Sequence, residues 1–352
     1  MLQEPTNRTE VSELGEFGLI KLITENYKIR RDDTLCAMGD DAAVIDAGAR
    51  AQVVTTDMLV EGVHFDLMYT PLKHLGYKAV TCNLSDVAAM NAIPSQVLVS
   101  IALSNRFSVE AVEELYKGIY LACEKYGVDL VGGDTTSSTS GIVISVTAMG
   151  WVDKENVVYR SGAKVNDLLC VSGDLGGAYM GLQLLEREKN VFQSNPNIQP
   201  DLAGNDYVLE RQLKPEARVD VVRKWADLGL KPSAAIDISD GLSSEVLHLC
   251  TSSNVGCQLY EEKIPIDPST ASLATSFNLD PSVCALSGGE DYELLFTIAQ
   301  ADFDKVRNHP DFTVIGHITD AGDGVNLVAR DETVHPVTAQ GWDALLKKDQ
   351  GE

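Results

Sequence analysis

Five short acidic motifs lie where apolar segments of this chain begin or end, and they limit the possible folds more than any other feature. Some apolar segments have the pattern of buried strands, and others repeat at helical spacing. Both patterns occur in each half of the sequence, which predicts an α/β or α+β fold. The five motifs are Gly39-Asp40-Asp41, Thr55-Thr56-Asp57, Asn83-Leu84-Ser85-Asp86, Gly133-Asp134-Thr135-Thr136 and Asp237-Ile238-Ser239-Asp240-Gly241.

Several elements can be predicted from local pattern alone. Residues 53–56 predict a buried strand that ends at Asp57, and residues 128–131 predict a short strand that leads into Gly132-Gly133-Asp134. Residues 71–90 predict a helix. A second helix is predicted over residues 108–126, since Ser108 suits an N-cap and Gly127 suits a helix end. A charged, turn-rich stretch follows residue 150. It predicts two domains, residues 1–150 and 151–352, with residues 190–206 as a surface loop.

Each acidic motif alone is ordinary, because aspartate commonly caps helices and forms turns. Asp86 is different, since it lies four residues after Cys82 and seven after Ala79, on the apolar face of its helix. A buried carboxylate must be paired, hydrogen-bonded or bound to a metal. Carboxylate and hydroxyl oxygens are the ligands that Mg²⁺ prefers, and convergence of several motifs predicts more than one ion.

Composition and missing motifs exclude several classes of protein. The net charge of -24, with no Lys/Arg cluster, argues against a nucleic-acid or membrane partner. Seven scattered cysteines without CxxC spacing indicate reduced thiols and a cytoplasmic protein. The chain lacks a Walker-A loop, a protein-kinase motif set, a GxGxxG fingerprint and a GxSxG elbow. The Gly-rich turn at residues 172–177 fits either a phosphate site at a helix N-terminus or a tight turn that needs glycine.

The order of the motifs carries more information than any one of them. The acidic motifs are joined by Gly15-Glu16-Phe17, His64-Phe65, Arg160-Ser161-Gly162-Ala163 and Ser287-Gly288-Gly289-Glu290-Asp291-Tyr292-Glu293-Leu294. This series, from about residue 13 to about residue 345, resembles the thiamine-monophosphate kinase family. That family belongs to the superfamily that includes aminoimidazole ribonucleotide synthetase and selenophosphate synthetase.

The resemblance implies a two-domain aminoimidazole ribonucleotide synthetase-like fold. Its N-terminal mixed sheet would form a homodimer interface, and its C-terminal α/β domain would complete the active site. The implied reaction is direct in-line transfer from ATP to thiamine monophosphate, giving thiamine diphosphate, with several Mg²⁺ ions between the two polyanions. An ionised acceptor phosphate needs hardly any general base.

The resemblance also assigns residues. The implied Mg²⁺ ligands are Asp41, Thr55, Thr56, Asp57, Asp86, Asp134, Asp237 and Asp240. The implied catalytic set is Asp57, Asp86, Asp134 and Asp240. Implied ATP contacts are Tyr116, Gly133, Asp134, Arg160 and Ser239, and implied thiamine monophosphate contacts are His64, Glu290 and Trp342.

Two other functions remain open at this stage. One is the reaction of a sister enzyme of the superfamily, although no reactive Cys in a glycine-rich segment precedes Cys36, as a selenophosphate synthetase would require. The other is a non-catalytic nucleotide or metal sensor that keeps the fold. Turnover of ATP separates the sensor from the enzymes.

Overall fold

The computed structural model describes residues 11–24 and 28–338 of the chain. The helices are α1 (Val11–Thr24), α2 (Leu72–Ala89), α3 (Val109–Tyr126), α4 (Gly177–Ser194), α5 (Asp206–Leu213), α6 (Val219–Asp227), α7 (Leu242–Ser253), α8 (Pro268–Ser276), α9 (Pro281–Ser287) and α10 (Phe303–Val306). The strands of the first half are β1 (Thr34–Cys36), β2 (Ala43–Asp46), β3 (Arg50–Val60), β4 (Ile93–Leu103), β5 (Asp129–Ser137) and β6 (Ile142–Asp153). Those of the second half are β7 (Leu168–Ser172), β8 (Ala234–Asp237), β9 (Gly256–Tyr260), β10 (Leu294–Ile298), β11 (Phe312–Thr319), β12 (Val325–Val328) and β13 (Val334–Pro336).

The first sheet has the order β1-β2-β3-β6-β4-β5, with β4 and β5 parallel and the other pairs antiparallel. Along β6, every second residue from Ile142 to Val152 points into the core, and the alternate side chains are only partly buried. This period of two places one face against helices and leaves the other face open. Helix α2 lies on the covered face, in contact with β3, β4 and β6.

The second sheet has the order β13-β12-β9-β11-β7-β10-β8, with only the β12–β9 pair parallel. Its central strands are buried on both faces, which explains their continuous apolar sequences. One face packs against α7. The other packs against α6, where Trp225 meets Phe296 with ring centroids 5.0 Å apart. Since α6 also contacts α2, one apolar core connects the two sheets.

Helices α2 and α3 cross at two glycines. A Cβ atom on Gly118 would lie 1.8 Å from the carbonyl oxygen of Lys73, and one on Gly76 would lie 2.0 Å from that of Leu115. The two backbones therefore approach more closely than any other residue type permits. This close crossing sets the position of α2, which matters because α2 carries Asp86.

Gly118→Ala is expected to lower the free energy of unfolding by about 1–3 kcal/mol, because the added methyl group forces α2 and α3 apart. Thermal and denaturant unfolding would measure the loss. Gly322→Ala is the matched control, since no atom lies within 4 Å of its Cβ position. Equal stability of the two variants would show that the helices can separate at little cost.

The predicted elements are mostly confirmed, with different bounds. Helix α3 begins after Ser108, whose side chain accepts the Ala111 N–H, and ends at the left-handed Gly127, as predicted. The predicted ends of two strands are wrong. Asp57 lies inside β3 and Asp134 inside β5, because both residues pair with neighbouring strands, at Val146 and Ser100.

The mixed α/β class is confirmed by the two mixed sheets. The predicted surface loop at residues 190–206 begins later, since α4 continues to Ser194. Strand β6 passes residue 150 and ends at Asp153. The division into domains at residue 150 stays a prediction.

Candidate active site

Three of the predicted acids meet between the two sheets. Asp41 lies just before β2, Asp86 lies in the last turns of α2, and Asp237 is the last residue of β8. One carboxylate oxygen from each lies within 4.8 Å of the other two. We call these three residues the acid cluster. Since Asp237 comes from the second sheet, the cluster exists only when both sheets are in place.

Hydrogen bonds fix the orientation of each carboxylate. Thr55 Oγ1 donates to Asp86 Oδ2 at 2.7 Å, and Ser85 Oγ donates to Asp237 Oδ2 at 2.6 Å. Arg160 Nε donates to Asp41 Oδ1 at 3.0 Å. The second oxygen of Asp41 is buried and has no hydrogen-bond partner. An acceptor of this kind costs free energy unless something else satisfies it.

The negative charges of the acid cluster are unfavourable to each other and would be stabilised by a bound cation. Burial raises the pKa of Asp237 to about 8, with a further contribution from the charge of Asp41. Burial likewise raises the pKa of Asp86, as do the charges of Asp57, Asp237 and Asp41. Burial raises the pKa of Asp41 although Arg160 opposes the shift. Clustered hard oxygens with one unsatisfied acceptor fit a divalent cation such as Mg²⁺.

The threonine–aspartate motif of β3 is divided between the two faces of its sheet. Thr55 and Asp57 face α2: the Asp57 N–H donates to Asn83 Oδ1 at 2.9 Å, and the charge of Asp57 acts on Asp86. The Thr56 hydroxyl donates to the Val146 carbonyl oxygen and accepts from Thr147 Oγ1, both at 3.0 Å. The structure therefore brings Thr55 and Asp57 to the acid cluster, but not the hydroxyl of Thr56.

Ser239 and Asp240 lie in the loop between β8 and α7. Their N–H groups both donate to Glu245 Oε1, at 3.0 and 2.8 Å. Burial raises the pKa of Glu245 to about 8, with a further contribution from Asp240. Sequence reasoning missed Glu245. The signal was present, because an acid in the first turn of a helix commonly binds the N–H groups that precede it.

Three other predicted residues lie at the edge of the first sheet. Tyr116, Gly133 and Asp134 line one cavity of about 530 Å³ along β5. Asp134 Oδ1 accepts the Thr135 N–H at 2.8 Å. Strands β6 and β4 lie between Asp134 and β3, which at roughly 4.8 Å per strand separates Asp134 from Asp57 by about 14 Å. The predicted ATP contacts are thus found in two places, with Arg160 and Ser239 near the acid cluster.

Comparison with known proteins identifies the family of this chain. Residues 39–152 match the family of AIR synthase related proteins, N-terminal domain. The thiamine-monophosphate kinase of Aquifex aeolicus (strain VF5) is 37% identical over 94% of this chain and 98% of its own length. That of Bacillus subtilis (strain 168) is 33% identical over 94% of this chain and 99% of its own length. The chain belongs to the thiamine-monophosphate kinase family.

A solved member of the thiamine-monophosphate kinase family has the same fold. The structure of AaThiL complexed with AMPPCP and TMP aligns with a TM-score of 0.81 and 34% identity, over 96% of this chain and 99% of that one. The predicted aminoimidazole ribonucleotide synthetase-like fold is therefore confirmed. Among the described residues, no helix is long and apolar enough to cross a membrane.

The substrate contacts that the family resemblance implies are placed as follows. His64 lies between β3 and α2, where its Nδ1 accepts the Val60 N–H at 3.0 Å. Glu290 lies after α9, with Oε1 2.8 Å from Lys78 Nζ and Oε2 accepting from Gln212 Nε2 at 2.8 Å. Trp342 lies outside the described residues. Sequence reasoning missed Lys78, although it lies eight residues before Asp86 in the same helix.

The Gly-rich turn before α4 does not have the role that was predicted. The N–H groups of Gly176 and Ala178 donate to the buried carboxylate of Asp291, at 2.8 and 3.3 Å. Arg211 lies 3.5 Å from the same carboxylate. The prediction of a phosphate at this turn is therefore wrong, because a side chain of the protein already supplies the anion.

Proposed function

We propose that this chain transfers the γ-phosphoryl group of ATP to thiamine monophosphate, forming ADP and thiamine diphosphate. The observation that carries the proposal is the acid cluster, in which carboxylate oxygens from both halves of the chain converge and one buried acceptor, on Asp41, is unsatisfied. Asp41, Asp86 and Asp237 would hold Mg²⁺, with Asp57 and Asp240 beside them. Bound Mg²⁺ would supply charge neutralisation to the phosphates of both substrates.

The nucleotide would lie across the first sheet. AaThiL forms a complex with AMPPCP, in which a methylene group replaces the oxygen between the β- and γ-phosphates of ATP. In this chain, the cavity lined by Tyr116, Gly133 and Asp134 would receive one end of the nucleotide. Arg160, whose guanidinium lies against Asp41, would contact the phosphates, since arginine forms bidentate bonds to phosphate oxygens.

The protein's part in the reaction is positioning. The acceptor phosphate is already ionised at neutral pH, so no side chain has to remove a proton from it. The chain has to hold two polyanions in line and exclude water, and phosphoryl transfer asks for little more. Thr55 and Ser85 serve this purpose by fixing the carboxylates of Asp86 and Asp237 before any substrate arrives.

We also propose that the protein is a cytoplasmic homodimer. Within the described ranges, strand β5 is an edge of the first sheet without a partner on its outer side, and its Val131 is 53% exposed. Met58, on the open face of the same sheet, is 55% exposed. Exposed apolar residues on an unpaired edge favour pairing with a second chain. Light scattering after size-exclusion chromatography would give the mass of the assembly.

A coupled assay tests the proposed reaction. We expect ADP and thiamine diphosphate to form in equal amounts from ATP and thiamine monophosphate, and formation to stop when a chelator removes Mg²⁺. Thiamine, which lacks the acceptor phosphate, serves as the control substrate. ADP release without thiamine diphosphate would favour a sister reaction of the superfamily, and binding of ATP without turnover would favour a sensor.

A further inference from the structure

One face of α2 contacts the second half of the chain at three successive points. Ser85, next to Asp86, bonds to Asp237. Cys82, one turn earlier, lies beside the side chain of Tyr292. Lys78, a further turn back, pairs with Glu290. Spacings of three and four residues place these side chains on one face of the helix. This face extends from the acid cluster at one end to Glu290 at the other.

Lys78 is buried to a degree that is rare for lysine. It is 3% exposed, and its Nζ lies 2.8 Å from Glu290 Oε1 and 3.3 Å from the Gln212 carbonyl oxygen. Burying an ammonium group is costly, and an ion pair that only joins two elements is often replaced by apolar residues without loss. Stability alone therefore does not explain the Lys78–Glu290 ion pair, and the pair suggests that the Glu290 carboxylate has a role of its own.

Glu290 and Asp57 both act electrostatically on the same two side chains, Cys82 and Tyr292. The charges of Glu290 and Asp57 both raise the pKa values of Cys82 and Tyr292, so both carboxylates lie near that pair. The backbone of Glu290 is also fixed near the acid cluster, since its N–H donates to the Ser239 carbonyl oxygen at 2.7 Å. The Glu290 side chain keeps 29% of its surface exposed, whereas Lys78 is enclosed.

A partly exposed carboxylate at this place complements one part of the acceptor substrate. Thiamine monophosphate carries a cationic thiazolium ring as well as its phosphate, and the acid cluster is suited to the phosphate through bound cations. A nearby carboxylate binds the ring more tightly if it is already held in position. A mobile side chain would lose conformational entropy on binding, and this loss would offset part of the attraction.

We propose that Lys78 is a positioning residue for the acceptor substrate. With Gln212, it fixes the carboxylate of Glu290 where the thiazolium ring binds, and it does not touch the substrate itself. The inference rests on the proposed function, because it assigns a residue to the acceptor side of that reaction.

The test is a double-mutant cycle of Lys78→Met and Glu290→Gln, with Lys73→Met as the control. Lys73 lies in the same helix and is exposed. We expect Lys78→Met to raise KM for thiamine monophosphate about 10-fold, equivalent to about 1.4 kcal/mol, with KM for ATP changed less than about twofold. If Lys78 acts through Glu290, adding Lys78→Met to Glu290→Gln has no further effect. Calorimetric titration of thiamine monophosphate, with Mg²⁺ and AMPPCP present, should give the same ranking.

If Lys78→Met does not fold, Gln212→Met provides a second test of the same proposal. It removes the second hydrogen bond to Glu290 without removing a charge, and it should raise the same KM about threefold. Additive effects in the cycle, equal changes in both KM values, or an unchanged KM for thiamine monophosphate would overturn the role of Lys78 while the proposed function stands. If the wild-type protein forms no thiamine diphosphate, both proposals fall.

Discussion

Asp86→Asn is expected to lower kcat for thiamine diphosphate formation by about 100-fold or more and to leave the protein folded. Asparagine has the size of aspartate and still accepts the Thr55 hydroxyl, so the local packing is kept. What it removes is the negative charge, which in the wild type is disfavoured by burial and by three neighbouring acids. The charge that we propose to bind Mg²⁺ is thus also a source of instability.

This reasoning gives a second expected result for the same variant. Without divalent cations, the melting temperature of Asp86→Asn should equal or exceed that of the wild type, because a repulsive charge is gone. Adding Mg²⁺ should stabilise the wild type more than the variant. Asp227→Asn, at the exposed end of α6, is the matched control and should change neither value. A variant with full kcat, or one that is unfolded, would contradict a metal-binding role for Asp86.

In the absence of divalent cations, the protein should lose stability as the pH rises from about 6 to about 9. Burial raises the pKa values of Asp237 and Glu245 to about 8, whereas the ordinary values are 3.8 and 4.5. Between these limits the folded protein binds more protons than the unfolded chain. The stabilisation is complete below the unfolded pKa values. It falls between the unfolded and folded pKa values, by up to about 1.4 kcal/mol per pH unit for each group, and it is gone above the folded pKa values.

Melting temperatures measured across this pH range would test the linkage. Asp237→Asn should give a flatter profile, since one of the two titrating groups is gone. Saturating Mg²⁺ should also flatten the wild-type profile, because cation binding favours the ionised carboxylates. A wild-type profile that stays flat between pH 6 and pH 9 would mean that these carboxyl groups ionise as easily in the fold as in the unfolded chain.

Local sequence patterns predicted helices α2 and α3 and singled out Asp86 of the acid cluster. Helix α3 could be predicted because its cap, its apolar repeat and its terminal glycine are all local signals. Asp86 could be singled out because a carboxylate on an apolar face is unfavourable unless it has a partner. The extent of β3 and β5 could not be predicted in this way, since partner strands distant in sequence determine where pairing ends.

The contacts that were missed involve residues far apart in the chain. Lys78 and Glu290 are more than 200 positions apart, and nothing near either residue indicates the other. The same holds for Asp291, which bonds to the N–H groups at the start of α4, where a phosphate was predicted. A helix N-terminus indicates that an anion binds there, but it does not distinguish a substrate from a carboxylate of the same protein.

The division of the acid cluster between two sheets has a consequence during synthesis on the ribosome. Asp41 and Asp86 leave the exit tunnel early, but Asp237 is held in its sheet by β10, which ends at Ile298. A nascent chain that has folded only its first sheet lacks the third carboxylate of the cluster. The ability to bind Mg²⁺ at this site, and with it any consumption of ATP, should therefore appear only after most of the polypeptide has been translated.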